Sequence, residues 1–161
     1  MIKKNICLIF HCLRDSKSLP NEIHPEMFVE KDEVENLILQ LIADGFVFKL
    51  PRDALKGEKV CTFTLDDGYA NNVLFLDLAK KYKIPFILFI NSYNIINQSF
   101  FAWDVYVHKY KRMYPISRFD YLNFYKEFNS SECNVTIPKN YRPFSLDGLH
   151  RFLDNEIGRA H

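Results

Sequence analysis

Asp66 and Asp67, adjacent carboxylates in the run Thr64-Leu65-Asp66-Asp67-Gly68, are the residues of this chain best suited to chemistry. They follow Val60-Cys61-Thr62-Phe63-Thr64-Leu65, a β-branched and apolar run that predicts a strand. The C-terminal tip of such a strand is where α/β enzymes place reactive groups. Within a regular strand neighbouring side chains point to opposite faces, so the two carboxylates need a turn to share a site, and Gly68 permits one. Like charges that close resist joint ionisation unless a cation lies beside them. One Asp as metal ligand and the other as general base resolves the conflict. An EF-hand loop would want oxygen ligands where Phe63 and Leu65 stand, and a D-x-D phosphoaspartate pattern is not matched. The bland alternative is an Asx-type turn capping a helix that starts near Ala70.

The surrounding elements set an α/β rhythm. Ile6 to Phe10 is a short apolar run of the kind found in buried parallel strands, and a polar loop from Arg14 to about Pro25 follows. Val34, Leu37, Ile38, Leu41 and Ile42 recur at helical spacing between Lys31 and Asp44, with Gly45 as the C-cap. Phe46-Val47-Phe48 predicts a second strand. A helix carrying Val73, Leu74, Leu76, Leu78 and Ala79 follows the carboxylates, and Pro85 to Ile90 predicts a fourth strand. Parallel pairing in a barrel-like or open sheet is expected. Trp103, Tyr106, Val107 and Tyr110 lie a helical turn apart in an aromatic segment, Phe100 to Phe128, that reads as core more readily than as a sugar-stacking platform. Asn129 to Asn140 reads as a loop, Ser145 as the N-cap of a last helix through Leu149, Phe152 and Leu153, and Ile157 to His161 as the start of a strand.

Bulk composition narrows the function classes. The 161 residues suit a single domain, 1–161, and 48% hydrophobic with 25% charged residues is ordinary for a globular protein. A net charge of +1 with dispersed Lys and Arg excludes nucleic acid or an anionic membrane as the expected partner. The four cysteines, Cys7, Cys12, Cys61 and Cys133, fit no zinc ribbon or disulfide framework. Cys7 and Cys61 sit in apolar runs, so buried, reduced thiols are expected. The apolar stretch after Lys3 and Lys4 is cut short by His11 and Arg14, too short for a signal peptide, and no segment approaches the length of a membrane span. A cytoplasmic location is the default expectation.

Thr64-Leu65-Asp66-Asp67-Gly68-Tyr69 resembles the T-F-D-D-G motif of the NodB-like polysaccharide deacetylases, with Leu65 in place of Phe. Lys80-Lys81-Tyr82-Lys83-Ile84-Pro85 and the run Phe86 to Ile90 are similar to the family's stretch after that motif. The resemblance implies a partial (β/α) barrel, with Asp66 as catalytic base and Asp67 as a metal ligand. Glu156 to His161 resembles the approach to the second motif, H-[ST]-x-x-H, which puts His161 in the first His position as a second metal ligand; the other His would fall past the last residue. Leu8-Ile9-Phe10-His11 with Arg14 resembles the strand end of the biofilm-polysaccharide deacetylase branch, where this His is the general acid; Asn21 to Phe28 and the helix from Lys31 are similar to that branch too. His24 and His108 match nothing in the family and read as surface or structural.

The chemistry so implied is metal-assisted amide hydrolysis. A divalent ion, zinc first among the candidates, acidifies water and polarises an acetamide carbonyl. Asp66 takes the water's proton and His11 protonates the leaving amine on an N-acetylated polysaccharide. The family's later motifs, among them an Arg that orients the base, have no counterpart here, and a seven- or eight-stranded barrel needs more chain. The expectation is therefore a domain that stops before the barrel closes, or one that assembles with a further half, binding metal weakly and not deacetylating alone. A non-catalytic glycan-binding module of deacetylase-like fold, or another Asp-dependent metal hydrolase of α/β fold, are the alternatives.

Overall fold

The structure, a computed structural model, describes residues 5–15, 28–110, 123, 124, 126 and 141–157. The elements run β1 (Ile6–Phe10), β2 (Cys12–Arg14), β3 (Phe28–Glu30), α1 (Lys31–Ala43), β4 (Val47–Phe48), β5 (Val60–Leu65), α2 (Val73–Tyr82), β6 (Phe86–Leu88), α3 (Ser92–Asn97), α4 (Ala102–Tyr110) and α5 (Leu146–Ile157). This is the α/β class expected, with every strand pair parallel. Helix α1 ends as its sequence predicts: the Gly45 and Phe46 amides return to the Ile42 and Leu41 carbonyls at 3.0 and 2.9 Å, a Schellman closure. At α5 the Ser145 hydroxyl accepts from the Gly148 amide at 3.0 Å, as an N-cap should.

β5 is the centre of the main sheet. One of its edges pairs with β1 along its last five residues, Ile6 opposite Cys61 through Phe10 opposite Leu65. Its other edge is shared: β4 takes the beginning, at Val60 and Cys61, and β6 the end, at Phe63 to Leu65. The carbonyls of Cys61 and Leu65, four residues apart and so on the same edge, accept from Lys49 and Phe89 respectively, which fits that division. All six residues of β5 are buried. Phe63 and Leu65, both 0% exposed, point into the main core with Phe10, Phe75, Ile38 and Phe152, on the sheet face that the helices cover. Phe63 lies 5.9, 5.5 and 5.5 Å from the rings of Phe10, Phe48 and Phe75.

Thr62 and Thr64 alternate onto the opposite face, beside Cys7 and Ile9. The two faces separate Cys61 from Cys7, the thiols expected to be buried alike. Cys61 is buried, and burial pushes its thiol up to about 11, but Cys7 is exposed. The run Ile6 to Phe10 is apolar throughout, yet only Ile6, Leu8 and Phe10 lean on the core; Cys7 and Ile9, the latter 59% exposed, lie on the other face and are exposed there, although their neighbours Thr62 and Thr64 on β5 are buried.

The chain also does something its sequence did not announce. It bends at His11 and leaves the main sheet, and Cys12–Arg14 pairs in parallel with Phe28–Glu30 as a separate two-stranded sheet. Cys12 and Phe28 then join a second buried cluster with Tyr69, Phe101, Tyr106, Phe124 and Tyr141. Of the aromatic segment, Phe101, Tyr106 and Phe124 are core, Phe100 and Trp103 pack against it half-buried, and Tyr110 is 38% exposed. His24, Cys133, His161, the loop 129–140 and the residues after Ile157 lie outside the described residues. No described helix is long and apolar enough to cross a membrane.

Candidate active site

The carboxylates sit where three chain segments meet. The Asp66 amide donates to the Phe10 carbonyl at the end of β1 (2.8 Å), and the Asp67 carbonyl accepts from the Asn91 amide just past β6 (3.2 Å). Between those ties the backbone reverses. Asp67 has φ +69° and Gly68 +80°, and the Gly68 amide closes on the Asp66 carbonyl at 2.9 Å. A left-handed conformation at a residue other than glycine costs roughly 1–2 kcal/mol, and Asp is among the few that adopt it. The result is that both side chains line one open depression of about 390 Å³, with Phe89, Ile90, Asn91 and Ser92 as its other walls. Asn91 also caps α3, its side-chain oxygen accepting from the Asn94 amide at 3.4 Å.

A distant segment clasps the same turn. The Phe144 amide donates to the Gly68 carbonyl at 3.0 Å, and the Ala70 amide to the Arg142 carbonyl at 2.9 Å, forming an antiparallel bridge between Tyr69 and Pro143. Leu65 on one side of the carboxylates is locked in the main core and Tyr69 on the other side in the aromatic cluster. The turn is therefore fixed at both ends by burial.

His11 is brought to this site. Its Nε2 stands 4.0 Å from Asp67 Oδ2, with both side chains 42% exposed. Asp67 titrates above the ordinary carboxylate range: burial raises it most, the His11 charge lowers it, and Asp66 raises it again. Asp66 Oδ1 is buried and has no hydrogen-bond partner among the described residues. A carboxylate oxygen left without a donor keeps a lone pair for a proton or a cation. Arg14, which follows in the same motif, is engaged with Glu30 at 3.3 Å, across β2 and β3.

The donor set suits a hard or borderline cation in kind and falls short in number. Zinc sites ordinarily use three or more protein ligands. Among the described residues no group of three or more His, Cys, Asp or Glu side chains stands close enough to hold an ion. His161, the second ligand expected from the sequence, is outside the described residues. His108 is buried in the aromatic cluster, its Nδ1 2.9 Å from the Asp104 carbonyl one turn earlier, a structural histidine as expected.

The clasp at Arg142–Phe144 and the ties to Asn91 and Tyr69 are absent from the sequence reading. The clasp lies more than 70 residues from the turn and carries no local signal, whereas Tyr69, next to the motif, could have been found as a large residue forced inward by the turn.

The fold is that of the polysaccharide deacetylases. The de-N-acetylase of Aggregatibacter actinomycetemcomitans superposes over 93% of this chain and 50% of its own, with a TM-score of 0.53 at 15% identity. The Streptococcus pyogenes deacetylase PplD, solved with acetate, aligns over 59% of this chain and 46% of its own (TM-score 0.48, 17% identity). IcaB from Ammonifex degensii aligns over 54% and 40% (TM-score 0.41, 20% identity). The chain thus spans about half the length, or less, of these solved relatives. No family profile matches the sequence, and no curated protein does.

Proposed function

We propose that the chain carries the base-and-metal part of a carbohydrate N-deacetylase site, with Asp66 as general base, His11 as general acid, and Asp67 and His161 as ligands of a divalent cation, zinc before others. The observation that carries this reading is the pairing of Asp66 and Asp67 in one depression, with a buried Asp66 oxygen to which no described residue donates and His11 4.0 Å from Asp67. The fold shared with deacetylases supports it. A cation held at Asp67 would polarise the acetamide carbonyl and stabilise the charge that develops there. The chain's own groups do the rest. Asp66 takes a proton from water as the water oxygen bonds to the carbonyl carbon. His11, protonated, gives its proton to the nitrogen as the C–N bond breaks, and acetate and a free amino sugar leave. Phe89 and Ile90 give the depression an apolar wall that suits the acetyl methyl.

The test is acetate release from an N-acetylglucosamine oligomer with added zinc, by these 161 residues and by a version lengthened past His161 with a second histidine. Release by the longer chain, falling by roughly 10²- to 10⁴-fold in Asp66→Asn, supports the assignment. Oligomer binding without acetate release by either chain would favour the glycan-binding alternative. Release that survives Asp66→Asn would remove the base from the account.

A further inference from the structure

Tyr69 follows the turn directly and is 1% exposed, its ring 4.4 Å from that of Phe101. Its hydroxyl donates to Asp104 Oδ2 at 2.9 Å. Asp104, on α4, is 0% exposed, and its other oxygen, Oδ1, has no hydrogen-bond partner among the described residues. A Phe facing a Leu would fill similar space without burying a half-satisfied carboxyl, because replacing both partners of such a pair by apolar groups is close to neutral. What the polar pair supplies instead is direction. Packing alone lets an aromatic ring slide, whereas a hydrogen bond to a carboxylate anchored on a helix sets its depth and rotation.

We propose that Asp104 is a positioning residue of the site: by holding the Tyr69 hydroxyl it pins the C-terminal side of the turn that turns Asp66 and Asp67 into one depression. The phenol is the third tie on that side, beside the Phe144–Gly68 and Ala70–Arg142 backbone bonds. The site's charges also reach α4. Burial raises Asp104 to about 7, the Tyr69 bond pulls it down, and the Asp67 charge raises it again. Tyr69 itself is pushed far above the ordinary phenol range, chiefly by burial, so it remains the donor. This goes beyond the deacetylase reading, and its test is independent of any reaction.

The experiment is amide hydrogen exchange by NMR on the 161-residue chain, comparing the amides of Gly68, Ala70 and Phe144 with those of Phe63 and Leu65 on β5. Tyr69→Phe and the double variant Tyr69→Phe/Asp104→Leu should exchange at least about tenfold faster at the turn relative to β5, even though the double variant, with both polar groups gone, regains most of its resistance to denaturant. Asp104→Asn keeps an acceptor for the phenol and should leave exchange at the turn as slow as in the parent protein. An unchanged ratio of turn to β5 exchange in Tyr69→Phe would overturn the proposal, as would Asp104→Asn exchanging as fast at the turn as the double variant.

Discussion

Replacing Gly68 by Ala probes the turn at its tightest point. The residue has φ +80°, and an added Cβ would lie 3.3 Å from both Ile90 Cγ2 and Ile95 Cδ1. The backbone conformation alone costs an L-residue roughly 1–2 kcal/mol. Overpacking adds about 1 kcal/mol more, at the low end of its range because Ile95 Cδ1 can swing away while Ile90 Cγ2, close to the backbone, cannot. The expected loss is about 2–3 kcal/mol, or a fall of roughly 5–10 °C in Tm for a chain of this size. Gly57 is the internal control: its φ is +88° but nothing lies within 4 Å of its Cβ position. Gly57→Ala should therefore lose only the backbone part. Urea unfolding of the two variants beside the parent protein isolates the crowding as their difference. If Gly68→Ala loses no more than Gly57→Ala, the close approach of Ile90 and Ile95 to the turn is wrong, and with it the packing that holds the carboxylates.

Asp104→Asn should change how stability depends on pH. A carboxyl at about 7 in the folded protein, against 3.8 as its ordinary value, keeps its proton on folding, so its contribution is greatest below about 4 and declines as pH rises to 7. At 1.36 kcal/mol per pH unit, the variant gains up to about 4 kcal/mol on the parent between those limits; urea unfolding at several pH values reads the difference, and a flat difference contradicts the burial argument. Thiol labelling followed by peptide mass mapping should find Cys7 modified in the native protein, and Cys12 and Cys61 modified only on unfolding. A native Cys7 as resistant to labelling as Cys61 would mean that its face of β1 is covered.

Much of this was legible in the sequence because it is local. The strand Val60–Leu65, the helix closed by Gly45 and the Ser145 cap each follow from residues within a few positions of one another. The meeting of His11 with the carboxylates was also legible, since Phe10 and Leu65 are the last residues of two apolar runs, and parallel strands in register bring such ends side by side. What could not be read depends on distance along the chain. The apolar run at β1 does not say which of its faces will be covered, so Cys7 was misplaced. The pairing of β2 with β3 turns on three residues in each strand, too few to carry a period. The Arg142–Phe144 clasp and the Tyr69–Asp104 bond join residues 35 or more positions apart, and only packing of the two cores, Phe144 in the main one and Tyr69 and Tyr141 in the aromatic one, brings them together.

A cation held by Asp67 beside a proton-accepting Asp66 is the core of the proposed site. It is tested most directly by diffraction from crystals soaked in millimolar zinc, with data collected on both sides of the zinc absorption edge. The account predicts an anomalous peak in the depression lined by Asp66 and Asp67, about 2.0–2.2 Å from an Asp67 carboxylate oxygen. It also predicts that the peak is lost in Asp67→Ala and kept in Asp66→Asn. No peak there, or one that disappears with Asp66 and persists without Asp67, would contradict it.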